Sequence, residues 1–235
     1  MRALTILYAL LMLLIASVTA GAQSPPPQPP RINPKPPSDQ PIPAGEQKAW
    51  VKLCDDVTTN DNGGAKAIQR ICLTSHERLD GNTGNVLVSV AIRQSQGQDK
   101  QSLLVLVPLG VLEQPGLVVN IYPQDLWQKA QRGENVDDAK LYQLRLSYTL
   151  CQAAGCSAET DANVNLVEWM KRGGGMVVLV MTPNGKSFGF GVPLAGFAAT
   201  YAGASVDNQE YAQARKKLLE EIAERQKKLK QQTDQ

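Results

Sequence analysis

Between residues 49 and 203 the apolar side chains of this chain come in short runs, most of them alternating, with Gly, Pro, Asn and Asp between them. No other feature limits the fold as strongly. Period-two alternation buries one face of a strand, whereas a helix needs a period of 3.6. Val86, Val88, Val90 and Ile92 alternate with Leu87, Ser89, Ala91 and Arg93. Residues 103–107 form a continuous apolar run, which predicts a strand buried on both faces and a hairpin with the preceding one. Residues 49–54, 67–74 and 117–122 predict further strands, and 141–151 alternates as one more. Residues 176–182 and 187–194 flank Pro183, Asn184 and Gly185, a strong hairpin signal. Residues 124–140 read as polar and irregular. Only 163–171 has helical spacing, and Gly173, Gly174 and Gly175 read as its end. Many short strands with turns at near-regular spacing predict an all-β sandwich with one short helix.

The flanks of this region differ. Residues 1–22 combine Arg2, an apolar run of about 15 residues and the small residues Ala20, Gly21 and Ala22. That is the pattern of a cleaved secretory leader, and the run falls short of the roughly 20 residues that span a hydrocarbon core. Residues 24–43 are proline-dense. Proline lacks an amide hydrogen and fixes φ, so this stretch reads as an extended spacer reaching about 60 Å at about 3.1 Å per residue. The expected organisation is a signal peptide at 1–22, a proline-rich disordered spacer at 23–46, a β-sandwich at 47–205 and a charged helical tail at 206–235. The formal charge of +2 falls to about +1 with the leader, so charge gives nucleic-acid binding no support.

Export gives the four cysteines their meaning. An oxidising compartment favours disulfides, and the spacing favours the sequential pairing of Cys54 with Cys72 and Cys151 with Cys156. On a loop-closure estimate the first contributes about 3 kcal/mol and the shorter second loop about 2 kcal/mol. No CxxC pair is present, and the single histidine, His76, leaves a zinc site without ligands.

Motifs for catalysis fail on inspection. Gly185, Lys186 and Ser187 lack the upstream glycine of a phosphate loop, where Val180 stands. Asn60 to Gly63 resembles part of a calcium loop, but Thr58 and Gln69 occupy its first and twelfth positions. There is no GxSxG elbow. His76 reads as a surface residue, and Lys171 with Arg172 as the basic end of a helix. The expectation is a protein with no catalytic residue, no cofactor and no metal.

From residue 208 the chain is rich in helix formers and free of Gly and Pro. Leu218, Ile222 and Leu229 make a thin apolar stripe interrupted by Arg225, short of a regular coiled coil. The stripe reads as a solvated helix or as a candidate partner-binding surface.

Taken in order, Trp50 and Cys54, Cys72, the strand 86–93, the run 103–107 into Pro108, Leu109, Gly110 and Val111, the pair Cys151 and Cys156 with Gly155 between them, and Gly196 with Phe197 resemble the invasion-associated locus B family of exported bacterial proteins. The resemblance implies an immunoglobulin-like β-sandwich in the periplasm or at the outer membrane. It carries no enzymatic activity to transfer, though some members are linked to host-cell entry. The function expected is a non-enzymatic envelope module that binds an envelope or host protein, with peripheral membrane association left open. A structural spacer or chaperone-like role is the alternative, and an envelope hydrolase a third.

Overall fold

The computed structural model describes residues 50–60 and 66–233. The leader, the spacer and residues 61–65 lie outside them. Ten strands form two antiparallel sheets. β1 (Val51–Asn60), β2 (Lys66–Leu79), β3 (Val86–Ser95) and β4 (Gln101–Val107) run as a meander. β8 (Gly155–Asp161) then pairs with β4 and β7 (Tyr148–Gln152) with β8, giving a six-stranded sheet in the order β1-β2-β3-β4-β8-β7. The second sheet has four strands in the order β10-β9-β5-β6: β10 (Ser187–Pro193), β9 (Gly173–Met181), β5 (Leu117–Pro123) and β6 (Tyr142–Leu146).

The inward residues of both sheets make one core. Val88, Val90, Ile92, Leu103, Val105 and Val107 come from the larger sheet. Leu117, Val119, Ile121, Met176, Val178 and Val192 come from the smaller. The alternation read over residues 86–93 matches burial at Val88, Val90 and Ile92, while Val86 is half-buried and Ala91 of the opposite face is buried as well. Residues 103–107 differ from expectation. Leu103, Val105 and Val107 are buried, but Leu104 and Leu106 are only half-buried on the outer face.

Residues 141–151 are two strands rather than one. Tyr142–Leu146 pairs with β5 in the smaller sheet, and Tyr148–Gln152 pairs with β8 in the larger. The chain changes sheets at Ser147. Period-two patterning continues through such a corner, so it carries no mark of the change.

Residues 124–140 also depart from expectation, since α1 (Gln124–Gln131) follows β5 directly, with Pro123 at its N-cap. Leu126 and Trp127 are buried against Tyr122 and Val177 on the outer face of the smaller sheet. Gly174 and Gly175 are the floor of this second cluster, whereas Gly173 abuts Leu194 and Ile121 of the main core. They do not merely stop a helix: β9 begins at Gly173. A Cβ on Gly175 would lie 2.2 Å from Trp127 Cε2, and one on Gly174 would lie 2.7 Å from Trp127 Cβ. Gly191 on the adjacent strand lies under the far edge of the same ring, 3.4 Å from Cη2 on the same measure.

α2 (Val164–Arg172) matches the sequence expectation. Asn163 caps it, with Oδ1 accepting from the Leu166 amide at 2.9 Å. Its basic end is internal structure: Lys171 pairs with Glu168 and lies 5.0 Å from the Tyr201 ring centre. α3 (Phe197–Ala202) seats Phe197 fully in the core. Its end is held by β1, because Lys52 Nζ donates to the carbonyls of Tyr201 and Gly203 at 2.9 and 3.0 Å. The final helix, α4 (Asn208–Thr233), is continuous.

Candidate interaction surfaces

Both disulfides join directly opposed residues of antiparallel strands. Cys54 faces Cys72 across β1–β2, and Cys151 faces Cys156 across β7–β8. Each therefore locks one outermost strand pair of the six-stranded sheet. Gly155 closes the smaller ring at φ 133°, a conformation that favours glycine. A Cβ there would also fall 2.3 Å from the Val107 carbonyl oxygen.

The pairing of Cys151 with Cys156 fixes what its neighbours do. Cys156 is buried in the core, so Leu150, one residue before Cys151, faces outward. Leu150 is 54% exposed. Register places it beside Ser157, and Ser157 beside Leu106. The Ser157 hydroxyl donates to the Leu150 carbonyl, and Thr149 Oγ1 donates to the Ser157 carbonyl at 3.1 Å. Leu104 lies further along β4 on the same face. Leu109, just past the end of β4, is 55% exposed. Toward the other end of these strands the face is charged: Arg93 pairs with Glu159, and Lys100 with Asp161. The outer face thus grades from ion pairs to an apolar strip at its β7 edge. Sequence reading did not name Leu150 or Leu106, although the disulfide partner of the adjacent cysteine orients Leu150.

The tail helix packs onto the other end of the larger sheet. The Val206 amide donates to the Lys52 carbonyl at 2.9 Å, and Asn208 Nδ2 to the Cys54 carbonyl at 3.1 Å. Further along, Arg215 pairs with Glu77. Ile222 is buried to 7% exposure near Gly84, in the turn after β2. Of the predicted stripe, Leu218 is half-buried, Ile222 is covered by the sandwich of its own chain, and Leu229 stays 49% exposed at the far end. Arg225 points outward, and the half-buried residue of that turn is Gln226. The stripe is thus divided between docking within the chain and an outward end.

His76 is not a bare surface residue. It faces Trp50, with ring centres 5.5 Å apart. Trp50 itself is 2% exposed and stands edge-on to Phe197 at 4.8 Å.

The Tyr148 hydroxyl is buried without a hydrogen-bond partner among the described residues, and burial pushes its pKa up to about 12. The unfolded phenol ionises near its ordinary value of 10.0. The native state therefore holds the proton longer, and stability falls as pH rises from 10 to about 12, being fully retained below that window. Tyr148→Phe removes a buried hydroxyl that bonds to nothing. We expect it to be neutral or stabilising by about 1 kcal/mol at pH 7. It should also lessen the alkaline loss between pH 10 and 12. Urea unfolding across that range reads both effects, and destabilisation at pH 7 with an unchanged alkaline slope would contradict the assignment. Tyr122, also raised by burial, leaves a residual slope.

Residues 119–205 match the family model for the Invasion associated locus B (IalB) protein. This stretch is similar to an IalB family domain. It runs from β5 to the residues just after α3 and contains the Cys151–Cys156 pair, Gly196 and Phe197. Trp50, the Cys54–Cys72 pair, residues 108–111 and α4 lie outside the match. Among solved structures, invasion associated protein b from Bartonella henselae aligns with 62% of this chain and 93% of its own, at 16% identity and a TM-score of 0.43. No curated protein matches the chain.

Proposed function

We propose that this chain is an exported, non-enzymatic IalB-type protein of the cell envelope whose sandwich acts as a protein-interaction module. The observation that carries this is the apolar strip at the β7 edge of the six-stranded sheet, where Leu106 and Leu150 share a face and Leu150 is 54% exposed. Single exposed leucines are ordinary, but here Leu150 and the half-buried Leu104 and Leu106 share one outer face on either side of Ser157, with Leu109 exposed just past β4, a grouping that fits a surface another protein covers. The disulfides support export, since such pairs persist in oxidising compartments. The leader read at residues 1–22 supports the same location in the periplasm or at the outer membrane. A contribution to host-cell entry or to envelope integrity is the role consistent with the family description.

The test is crosslinking in intact cells with the full chain tagged at its C-terminus. Three forms are compared: the natural chain, Leu150→Glu, and a chain ending at residue 205. Capture of a defined envelope or host protein should be lost with Leu150→Glu and kept by the chain ending at 205. Leu150→Glu must retain both disulfides and its unfolding transition. Capture indifferent to Leu150→Glu would contradict the assignment of the surface.

A further inference from the structure

The Cα atoms of Cys54 and Cys72 lie 4.1 Å apart, the spacing of a narrow antiparallel pair whose amides and carbonyls point away from each other. The main-chain groups of Cys54 therefore face the open side of β1. Two hydrogen bonds agree. Asn208 Nδ2 donates to the Cys54 carbonyl, and the Val206 amide donates to that of Lys52, two residues earlier on the strand. Across the ladder the Arg70 carbonyl faces the opposite way, where it accepts from the Gln96 amide at 2.8 Å. Register is unbroken along the whole of β1, so Asp56, Thr58 and Asn60 also turn their N–H and C=O groups to the open side. Among the described residues none bonds to them.

The chain seals only the first part of this edge. α4 leaves it at Asn208 and runs the other way, past Glu77 to Gly84. β3 pairs with β2 no further than Ile71, which lies opposite Asp55. Beyond that point β1 and β2 continue as a two-stranded ribbon, on which Ile68 is 79% exposed. Such a ribbon is marginal alone and gains from a third strand. Asp56 pairs with Arg70, but the exposed Asp55 forms no ion pair among the described residues.

We propose that the edge of β1 from Asp56 to Asn60 takes up an extended segment of another protein, with a lysine or arginine beside Asp55. The open ladder selects an extended backbone, because only a strand meets donors and acceptors offered at alternate residues. Asp55 selects the base. Residues 55–60 contain no base, so a second copy of the same edge offers Asp55 no partner. This edge lies across the larger sheet from the Leu150 strip and is independent of it.

Panning a library of random peptides on the exported, oxidised protein tests this. Enriched peptides should be free of proline and carry lysine or arginine. They should slow hydrogen exchange at the Asp56 and Thr58 amides about tenfold or more. The Val57 and Thr59 amides, turned toward β2, should change little. Thr58→Pro removes one outward donor and none of the bonds to β2, a position where an edge strand accepts proline. It should abolish binding and leave both disulfides and the unfolding transition as they were. Asp55→Lys should weaken binding about fivefold to tenfold through a like-charge contact. N-methylation of the peptide's ladder amides should abolish binding with the protein unaltered. No enrichment, enrichment of acidic peptides, binding indifferent to Thr58→Pro, or protection at Leu150 in place of β1 would overturn the proposal. Concentration-dependent protection of Asp56 and Thr58 without peptide would assign the edge to a second copy and overturn it too.

Discussion

Gly175→Val is expected to destabilise the protein by about 3–5 kcal/mol, as much as removing a buried aromatic ring. A Cβ at this position would lie 2.2–2.3 Å from two atoms of the Trp127 indole, so the ring cannot stay. Gly174 and Gly191 also lie beneath it, and Tyr122 stands edge-on to it at 5.8 Å. Displacing Trp127 exposes Leu126 and Val177 as well and frees α1 from the smaller sheet. Trp127→Ala should cost a similar amount through the cavity it leaves. The two effects share one cause and should not add. In a Trp127→Ala background, Gly175→Ala should cost about 1 kcal/mol or less, although in the natural background it forces the ring to move. Urea unfolding of the four proteins gives the coupling directly. Additive costs would mean that the glycines serve the backbone and not the ring.

Trp50→Ala is expected to cost about 3–5 kcal/mol, a fall in Tm of roughly 6–20 °C for a domain of this size. Trp50 precedes β1 in the larger sheet, yet its indole Nε1 donates to the Pro193 carbonyl at the end of β10 in the smaller one, at 2.8 Å. It therefore joins the two sheets at one end of the core, packed against Phe197 and His76. Trp50→Phe keeps most of the apolar contact but leaves the Pro193 carbonyl without its donor, and should cost about 1–3 kcal/mol. Thermal unfolding of the three proteins orders them. A loss below about 1 kcal/mol for the alanine variant would show that this end of the sandwich holds without it.

The sandwich was legible where alternation coincided with burial. Strand β3 and the hairpin around Gly185 follow directly from period-two patterning and turn residues, and β4 from its continuous apolar run, although only one of its faces is fully buried. The disulfides were legible from spacing because each joins directly opposed residues of adjacent strands, and such pairs are close in sequence when a short loop or turn connects them. Other elements left little trace. α1 has only Leu126, Trp127 and Ala130 among polar neighbours, so its periodicity is weak, and the informative mark was Pro123 before Asp125. β8 turns small residues, Cys156 and Ala158, toward the core, and these give little hydropathy signal. The role of Gly174 and Gly175 depends on a tryptophan almost 50 residues earlier, which no local pattern reveals. The candidate surface was half legible. The outward orientation of Leu150 follows once Cys151 is tied to a buried partner, but its place across Ser157 from Leu106 needs the β4–β8–β7 register. The tail stripe was found, yet its division between Ile222, covered by the chain's own sandwich, and the exposed Leu229 depends on where the helix lands.

The outer strip as a docking surface is tested most directly by a photo-crosslinking amino acid at position 150 in the exported protein, activated in intact cells. The matched control carries the same group at position 164, where Val164 is 77% exposed away from the strip. We expect a discrete crosslinked species from position 150 and none from position 164, with the partner identified by mass. Crosslinks of equal yield from both positions, or none from position 150 in a folded and oxidised protein, would contradict the surface and with it the proposed function.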